Sequence, residues 1–304
     1  MPLVSIVTAT YNRSEVLRHA VASVLRQTVT DWELLVIGDG CTDDTADVLA
    51  AFADPRIRFT NLPVNHGEQS VPNNAGVALA RGEYLAFLNH DDLWFSDHLA
   101  TLQAAIERTG AELVYGLSAR IDPEGIAHLW GEAPARRYEP WQPVPASVWL
   151  MRRAVAERVG PWTSAADLWD SPSQEWLRRA ARAGVTIAPV SRLTAVQITS
   201  GGRVGSYRTR HDTEHAAALA ALQDEVAYRE HILTAIAIGS SRTATDLQPL
   251  RLLGRAARAG FVRLCVAAGL TPTVVVNAVR YRRRGGFIRR LRKTRGLPPS
   301  FGRR

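Results

Sequence analysis

An α/β fold with a mainly parallel sheet flanked by helices is what this 304-residue sequence predicts. Three observations carry that expectation. Short β-rich apolar runs alternate with segments of helical periodicity as far as Tyr115. The connections between them are short, as in consecutive βαβ units. Polar clusters such as Gly38–Asp44 and Asn89–Asp92 follow strand runs directly, at the carboxyl ends where parallel sheets bind ligands.

The elements follow in order. Leu3–Thr8 is the first apolar run. Val16, Leu17, Ala20, Val21, Val24 and Leu25 then recur at helical spacing within 14–27. Asn12 with Glu15 three residues later resembles a capping box for that helix. Trp32–Ile37 is a second strand, and Thr42-Asp43-Asp44-Thr45 opens a helix that runs to about Phe52. Ile57–Asn61 is a third strand, 74–81 a helix and Tyr84–Leu88 a fourth strand. A helix begins near Ser96 and holds Leu99–Arg108, and Ala111–Tyr115 is a fifth strand.

Beyond that point the pattern changes. Pro123-Glu124-Gly125 reads as a turn between short strands, and four prolines make 130–145 a loop. Residues 152–159 and 174–183 are helical, Val185–Val190 is a strand, and 211–238 carries one long helical pattern. The division that follows is a domain over 1–238 with its halves meeting near 110, a Ser/Thr-rich linker at 239–246, and a tail over 247–304.

Charge separates the tail from the rest. Residues 247–304 hold fifteen Lys or Arg and no Asp or Glu, which leaves 22 basic against 29 acidic residues in 1–246. A mildly acidic body with a basic tail points to a contact with an anionic surface. Within the tail, Leu250, Leu253, Ala257 and Leu264 share one side of a helical pattern, and Arg251, Arg255 and Arg258 another. Residues 261–279 are apolar, but Arg263, Pro272 and Asn277 interrupt them, which excludes a spanning helix. Cys41 and Cys265 lie too far apart in sequence to suggest a disulfide framework or zinc site, and no signal peptide is visible, so a reducing cytoplasm fits.

The residues that carry chemistry lie after the strands. In Asn89-His90-Asp91-Asp92, two adjacent carboxylates end an apolar run. They either cap the next helix or hold a hard cation such as Mg²⁺ or Mn²⁺ that shares a diphosphate. Asp39 ends the second strand and can accept from a base N–H or a ribose hydroxyl. Thr8–Arg13 offers an aromatic ring, small polar groups and a cation, with no glycine-rich phosphate loop. His211 and His215 have metal-ligand spacing on a helix, but no third ligand accompanies them, so they read as a solvated face.

The ordered set of motifs resembles family 2 glycosyltransferases of the GT-A fold. The matching segments are Val4–Arg13, Val36–Thr45, Asn65-His66-Gly67, Asn74-Ala75-Gly76, Ala80–Tyr84 and Asn89–Asp92. The resemblance implies a nucleotide-diphospho-sugar donor, with Thr8, Tyr11 and Asp39 lining the nucleoside pocket, Asn12 and Asn74 among the other donor-binding residues, and Asp91 and Asp92 at the metal, Asp92 the more direct ligand. Asn89 stands where the family often has Asp. Asn73 stands where it often has Arg, so Arg81 or Arg13 is expected to supply the missing contact. The general base that takes the acceptor's proton is expected at Glu175, with Asp170 the runner-up. Arg203 and Arg208, in a glycine-rich loop, are expected to hold the diphosphate.

The function implied is metal-assisted, inverting transfer to a sugar or lipid-linked acceptor hydroxyl. The tail would lie on the inner face of the plasma membrane; no nucleic-acid-reading module is visible. Two rivals stay open: a sugar-phosphate nucleotidyltransferase and a non-enzymatic polyanion-binding protein.

Overall fold

The structure is a computed structural model that describes residues 1–298 apart from Pro134, Ser200–Gly202, Arg210 and Asp246–Leu247. The glycines at the heart of the expected donor loop, Gly201 and Gly202, and the end of the expected linker, Asp246, lie outside the described residues.

Strands β1 (Val4–Thr10), β2 (Trp32–Gly38), β3 (Ile57–Asn61) and β4 (Tyr84–Phe87) form a parallel group in the order β3-β2-β1-β4. Helices α1 (Ser14–Leu25), α2 (Thr45–Ala50) and α3 (Ser70–Leu79) connect them. β2 is buried along its whole length, which explains its near-continuous apolar run. The chain winds outward from β1 to β3 and returns to β4 on the other side of β1. That reversal opens a crevice at the carboxyl ends of β1 and β4.

Beyond β4 the sheet is mixed, which narrows the expectation of a mainly parallel one. β8 (Trp149–Arg152) pairs antiparallel with β4 and with β6 (Leu113–Asp122). β9 (Ile187–Ile198) runs parallel to β6, and β7 (Gly125–Trp130) forms the expected hairpin with it. A short strand that the sequence did not suggest, β5 (Asp92–Trp94), pairs with β9 and pins Asp92 in the sheet. Helices α4 (His98–Thr109), α5 (Arg153–Val159) and α6 (Pro172–Arg182) cover this half.

The core joins both halves. Val4, Ile6, Leu34, Leu85, Leu113 and Leu150 are fully buried, so truncating Ile6 or any of these leucines to Ala should cost about 2–5 kcal/mol. The rings of Trp149, Trp162 and Trp176 lie 5.8–6.3 Å apart, so Trp176 is a core anchor.

Local sequence signals failed where tertiary partners competed. Asn12 adopts φ 48° and forms no capping box. Its carboxamide oxygen accepts instead from the Thr42 and Asp43 backbone N–H groups at 2.8 and 3.3 Å. The α1 terminus is met from the neighbouring loop: Ser14 donates its N–H to Asp43 at 3.3 Å and its hydroxyl to Asp44 at 2.6 Å. α3 starts at Ser70, four residues early, because Pro72 is tolerated in a first turn.

The 211–238 pattern divides into α7 (Thr213–Ala221), a 3₁₀ turn at Leu222–Asp224 and α8 (Glu225–Thr245). α8 runs through most of the expected linker, since no proline interrupts it. The tail forms α9 (Pro249–Ala267), α10 (Pro272–Tyr281) and α11 (Gly286–Thr294).

The tail is not a free appendage. Asn277 Nδ2 donates to Trp169 O at 2.7 Å, and Gly285 N–H to Leu168 O at 2.7 Å. Gly205 N–H donates to Thr294 O at 2.7 Å, and Tyr207 N–H to Arg295 O at 3.1 Å. Among the described residues no single helix is long and apolar enough to cross a membrane. α9 and α10 reach that length together but bend by 104°.

Candidate active site

At the carboxyl ends of β1, β2 and β4 lies a cavity of about 280 Å³. Tyr11 from the β1 end, Asp39 from the β2 end and Asn89, His90 and Asp91 from the β4 end line it. Each sits one to four residues beyond a buried strand, so the packed core fixes where each backbone emerges. Three residues separated by 80 positions in sequence therefore share one wall.

Asp39 is 4% exposed and accepts from the His66 N–H at 2.9 Å, the Gly67 N–H at 2.7 Å and Asn65 Nδ2 at 3.1 Å. Burial pushes its carboxyl above the ordinary value, against those donors and the nearby Arg292 charge. It thus anchors the 65–67 loop on the cavity wall as well as facing the cavity.

The acid pair divides into two roles. Asp92 turns inward: its Oδ2 accepts from Ser147 Oγ at 2.5 Å, Asn89 Nδ2 at 2.8 Å and Gln197 Nε2 at 3.4 Å. Burial and the adjacent Asp91 charge push it up to about 7. Asp91 faces the cavity. Burial opposes its ionisation, but the charges at His90, Arg295, His215 and Arg13 outweigh that and hold it below its ordinary value. Burial keeps His90 and His215 themselves low, His215 at about 4, so at neutral pH the two arginines carry most of the effect.

Asp91, not Asp92, therefore lines the cavity, and Asp92 stands behind it, held by Asn89. Among the described residues no cluster of three His, Cys, Asp or Glu is arranged to hold a metal alone. A hard divalent ion that keeps waters and takes phosphate oxygens needs only one or two carboxylates. The donor set therefore fits Mg²⁺ or Mn²⁺ shared with a diphosphate.

His90 connects the acid pair to the glycine-rich loop. Its Nδ1 lies 3.1 Å from Ala9 O, and its Nε2 3.3 Å from the Tyr207 hydroxyl. The Tyr207 ring carries the Arg13 and Arg295 guanidinium carbons at 4.9 and 5.3 Å from its centroid. These are cation–π distances.

Several expected site residues lie elsewhere. Arg81 sits at the opposite end of the sheet and pairs with Glu33 at 2.9 Å, because it precedes β4. Thr8 is buried within β1, and Ala9 and Thr10 line the cavity in its place. Asn12 braces the 42–43 loop. Asn74 ties α3 to Trp162, accepting at 2.8 Å and donating at 3.1 Å.

Arg203 pairs with Glu214 beside a smaller cavity that shares Asp91, Tyr207 and Arg295 with the first. Arg208 donates to Gly296 O at 3.1 Å. Neither lines the main cavity. Glu175 pairs with Arg179 at 3.2 Å, and Asp170 with Arg178 at 2.9 Å. Neither of these acids lines the cavity, but Ser171 and Pro172 do. Asp170, next to Ser171 in sequence, accepts from the Ser171 N–H at 2.7 Å. His215 is buried, not solvated, with its Nε2 3.2 Å from Asp91 O.

Sequence reasoning missed Glu68, Tyr207, Arg292 and Arg295, which all line the cavity. Tyr207 was visible inside the glycine-rich loop, one position from Arg208. Arg292 and Arg295 repeat the helical spacing of Ile288 and Leu291, a signal hidden by the surrounding arginines.

Residues 5–156 match the family model described as Glycosyl transferase family 2. The chain is 35% identical over 120 residues to the poly(ribitol-phosphate) β-N-acetylglucosaminyltransferase TarP of Staphylococcus aureus (strain N315), covering 38% of this chain and 36% of that protein. It is 32% identical over 114 residues to WfgD of Escherichia coli, a UDP-Glc:α-D-GlcNAc-diphosphoundecaprenol β-1,3-glucosyltransferase, covering 38% and 45%. The matched segments thus span less than half of those relatives.

Among solved structures, S. aureus TarS 1-349 with UDP-GlcNAc superposes at a TM-score of 0.57 with 17% identity, over 78% of this chain and 71% of that one. The mannosyltransferase PcManGT of Pyrobaculum calidifontis, with GDP-Man and Mn²⁺, superposes at 0.54 with 15% identity, over 92% and 86%. At these identities the agreement concerns the fold, which is GT-A-like.

Proposed function

The chain belongs to glycosyltransferase family 2, and from that premise we propose that it moves a sugar from a nucleotide-diphospho-sugar to an acceptor hydroxyl with inversion. One observation carries the reading. A single cavity at the strand ends joins Tyr11 and Asp39 to Asp91, with guanidinium groups between and around them. The TarS and PcManGT structures hold UDP-GlcNAc and GDP-Man with Mn²⁺ on the same fold, which supports a donor of this class.

The chain's residues take these roles. Tyr11 and Asp39 receive the nucleoside. Asp91 faces the diphosphate, and Asn89, Ser147 and Gln197 hold Asp92 behind it. A bound Mg²⁺ or Mn²⁺ would supply positive charge to the departing nucleotide diphosphate. Arg13, which lines the smaller cavity with Asp91 and pairs with Glu15 at 2.8 Å, adds to the positive charge beside Asp91. The acceptor enters along the Ser171–Pro172 wall, and Asp170 takes its proton, with the Ser171 N–H orienting the carboxylate. The anomeric carbon then accepts the acceptor oxygen as the donor's glycosidic C–O bond to phosphate breaks. Glu175 pairs with Arg179 one turn along α6.

The test is release of nucleoside diphosphate from UDP-, GDP- and dTDP-sugars with Mn²⁺ and a mixed set of sugar and lipid-linked acceptors. Release with one donor, abolished by Asp91→Asn, supports the reading. No binding or turnover with any donor removes it. Pyrophosphate release from a nucleoside triphosphate would make the chain a nucleotidyltransferase instead. Asp170→Asn should stop transfer and Glu175→Gln should not; the reverse result restores Glu175. Transfer retained in both variants moves the base to Glu68, which lines the cavity and is raised by burial.

The tail supports a peripheral membrane site as part of the same proposal. Leu250, Leu253 and Leu264 are 84%, 66% and 72% exposed on α9, with Arg251, Arg255 and Arg258 on the same helix. Apolar side chains next to cations suit an anionic bilayer surface. A lipid-linked acceptor would then be presented at the surface the enzyme occupies.

A further inference from the structure

The basic tail does two different things along its length. α9 leaves its leucines exposed, whereas α11 turns a half-buried apolar side toward the cavity. Phe287, Ile288 and Leu291 line that cavity together with Arg292 and Arg295. The residues at 288, 291, 292 and 295 share one helical face, and that face closes the site.

α11 is held in this place by close backbone approach. Gly285, at φ 69°, donates to Leu168 O at 2.7 Å, and a Cβ there would lie 2.9 Å from Ala166 O. At the far side the Arg292 guanidinium donates to Gly67 O, and a Cβ on Gly67 would lie 2.7 Å from its Cζ. Gly67 is one of the two residues whose N–H groups bind Asp39. Arg292 therefore sits at the Asp39 end of the cavity, 5% exposed, and its charge is felt at Asp39.

Arg295 sits at the other end. Its Nη1 lies 3.5 Å from the Tyr207 hydroxyl, its guanidinium over the Tyr207 ring, and its charge is felt at Asp91. Two guanidinium groups one helical turn apart thus span the cavity between the residue that faces the nucleoside and the residue that faces the metal. A planar guanidinium matches phosphate oxygens in geometry and stays charged when desolvated. Arg295 and Arg13, the latter paired with Glu15 at 2.8 Å, share the Tyr207 ring and place positive charge beside Asp91.

We propose that α11 forms a wall of the donor site and that Arg292 and Arg295 hold the donor's diphosphate, the role the sequence assigned to Arg203 and Arg208. The proposal rests on the nucleotide-sugar reading above.

Binding of UDP and GDP, each with Mn²⁺, and of uridine and guanosine, is measured by calorimetry on the full chain and its variants. Arg295→Gln and Arg292→Gln should each weaken diphosphate binding about ten- to a hundred-fold while nucleoside binding stays within about two-fold. Arg295→Lys should recover part of the loss, since it keeps the charge and not the fork. Arg290→Gln, on the exposed side of α11, should bind as the wild type does. Melting curves identify any variant that fails to fold; if Arg292→Gln does, the more exposed Arg295 decides.

Unchanged diphosphate affinity in Arg295→Gln overturns the proposal. Tighter binding overturns it as well and makes α11 an occluding plug. Equal losses for nucleoside and diphosphate reduce both arginines to scaffold. A wild-type chain that binds neither diphosphate removes the functional reading, and this proposal with it.

Discussion

The two ends of the parallel strands each bury an acid, and they treat it in opposite ways. At the amino ends, Glu33 is 3% exposed and accepts from Ser5 Oγ at 2.7 Å, the Arg81 N–H at 2.8 Å, Arg81 Nη2 at 2.9 Å and Arg58 Nη2 at 3.0 Å. Burial works against its ionisation, but these donors outweigh it and hold the carboxyl below its ordinary value. At the carboxyl ends, Asp92 is satisfied by side chains yet pushed up to about 7, and Asp91 keeps a face on the cavity. The first acid is neutralised within the fold. The second pair lies at the cavity, Asp92 satisfied by side chains and Asp91 facing it beside the charges of Arg295 and Arg13; on the function proposed above, that difference separates a structural acid from a functional one.

The largest expected effect breaks the functional end alone. Asp91→Asn should lower kcat/KM by about 100- to 1000-fold while the melting temperature holds. A comparable loss of fold would mean that Asp91 is structural like Glu33. The matching change at the other end, Glu33→Gln, should cost about 3 kcal/mol in urea unfolding and leave the folded enzyme active.

A smaller effect concerns His98, fully buried against Trp94 with ring centroids 4.1 Å apart. Burial pushes it down to about 3. The unfolded chain, with a pKa of about 6.5, therefore binds the proton first. Its contribution is full above about pH 6.5 and is lost as pH falls toward about 3. Wild-type stability should drop by about 2 kcal/mol between pH 6.5 and 5 from this group, and His98→Phe should flatten that slope.

Two weaker predictions complete the comparison. Leu253→Glu with Leu264→Glu should release the protein from anionic vesicles without changing turnover on soluble acceptors, at about 1 kcal/mol per cation that loses the surface. Retained vesicle binding would move the membrane contact away from α9. Arg81→Gln, whose side chain is 57% exposed, should cost at most about 1 kcal/mol and leave donor affinity alone. Loss of donor affinity there would return Arg81 to the site.

Much of the first hundred residues was legible because each signal was local. A buried parallel strand must be apolar on both faces, so β1, β2 and β4 appear as runs within a residue or two of their observed ends, and the half-exposed edge strand β3 has the bounds expected for it. The polar residues that end those runs, Tyr11, Asp39 and Asp91, could be placed together because a strand end fixes their position, and all three line the cavity. Asn12 and Arg81 were misplaced because their partners, Thr42 and Glu33, lie 30 and 48 residues away. Glu175 and Asp170, the two acids expected as base, are both engaged by arginines of α6, Arg179 at 3.2 Å and Arg178 at 2.9 Å, contacts that the helix-start pattern does not reveal.

By itself the sequence determined the family, the α/β order and the three strand ends on which the site is built, since period and order are one-dimensional properties. It also determined that the tail is basic. Only the tertiary structure decided what that charge does, because charge is visible in sequence and its direction is not. A bend of 104° between α9 and α10, and Gly285 packed on Ala166, turn one stretch of similar arginines into an exposed apolar–basic helix and a cavity wall.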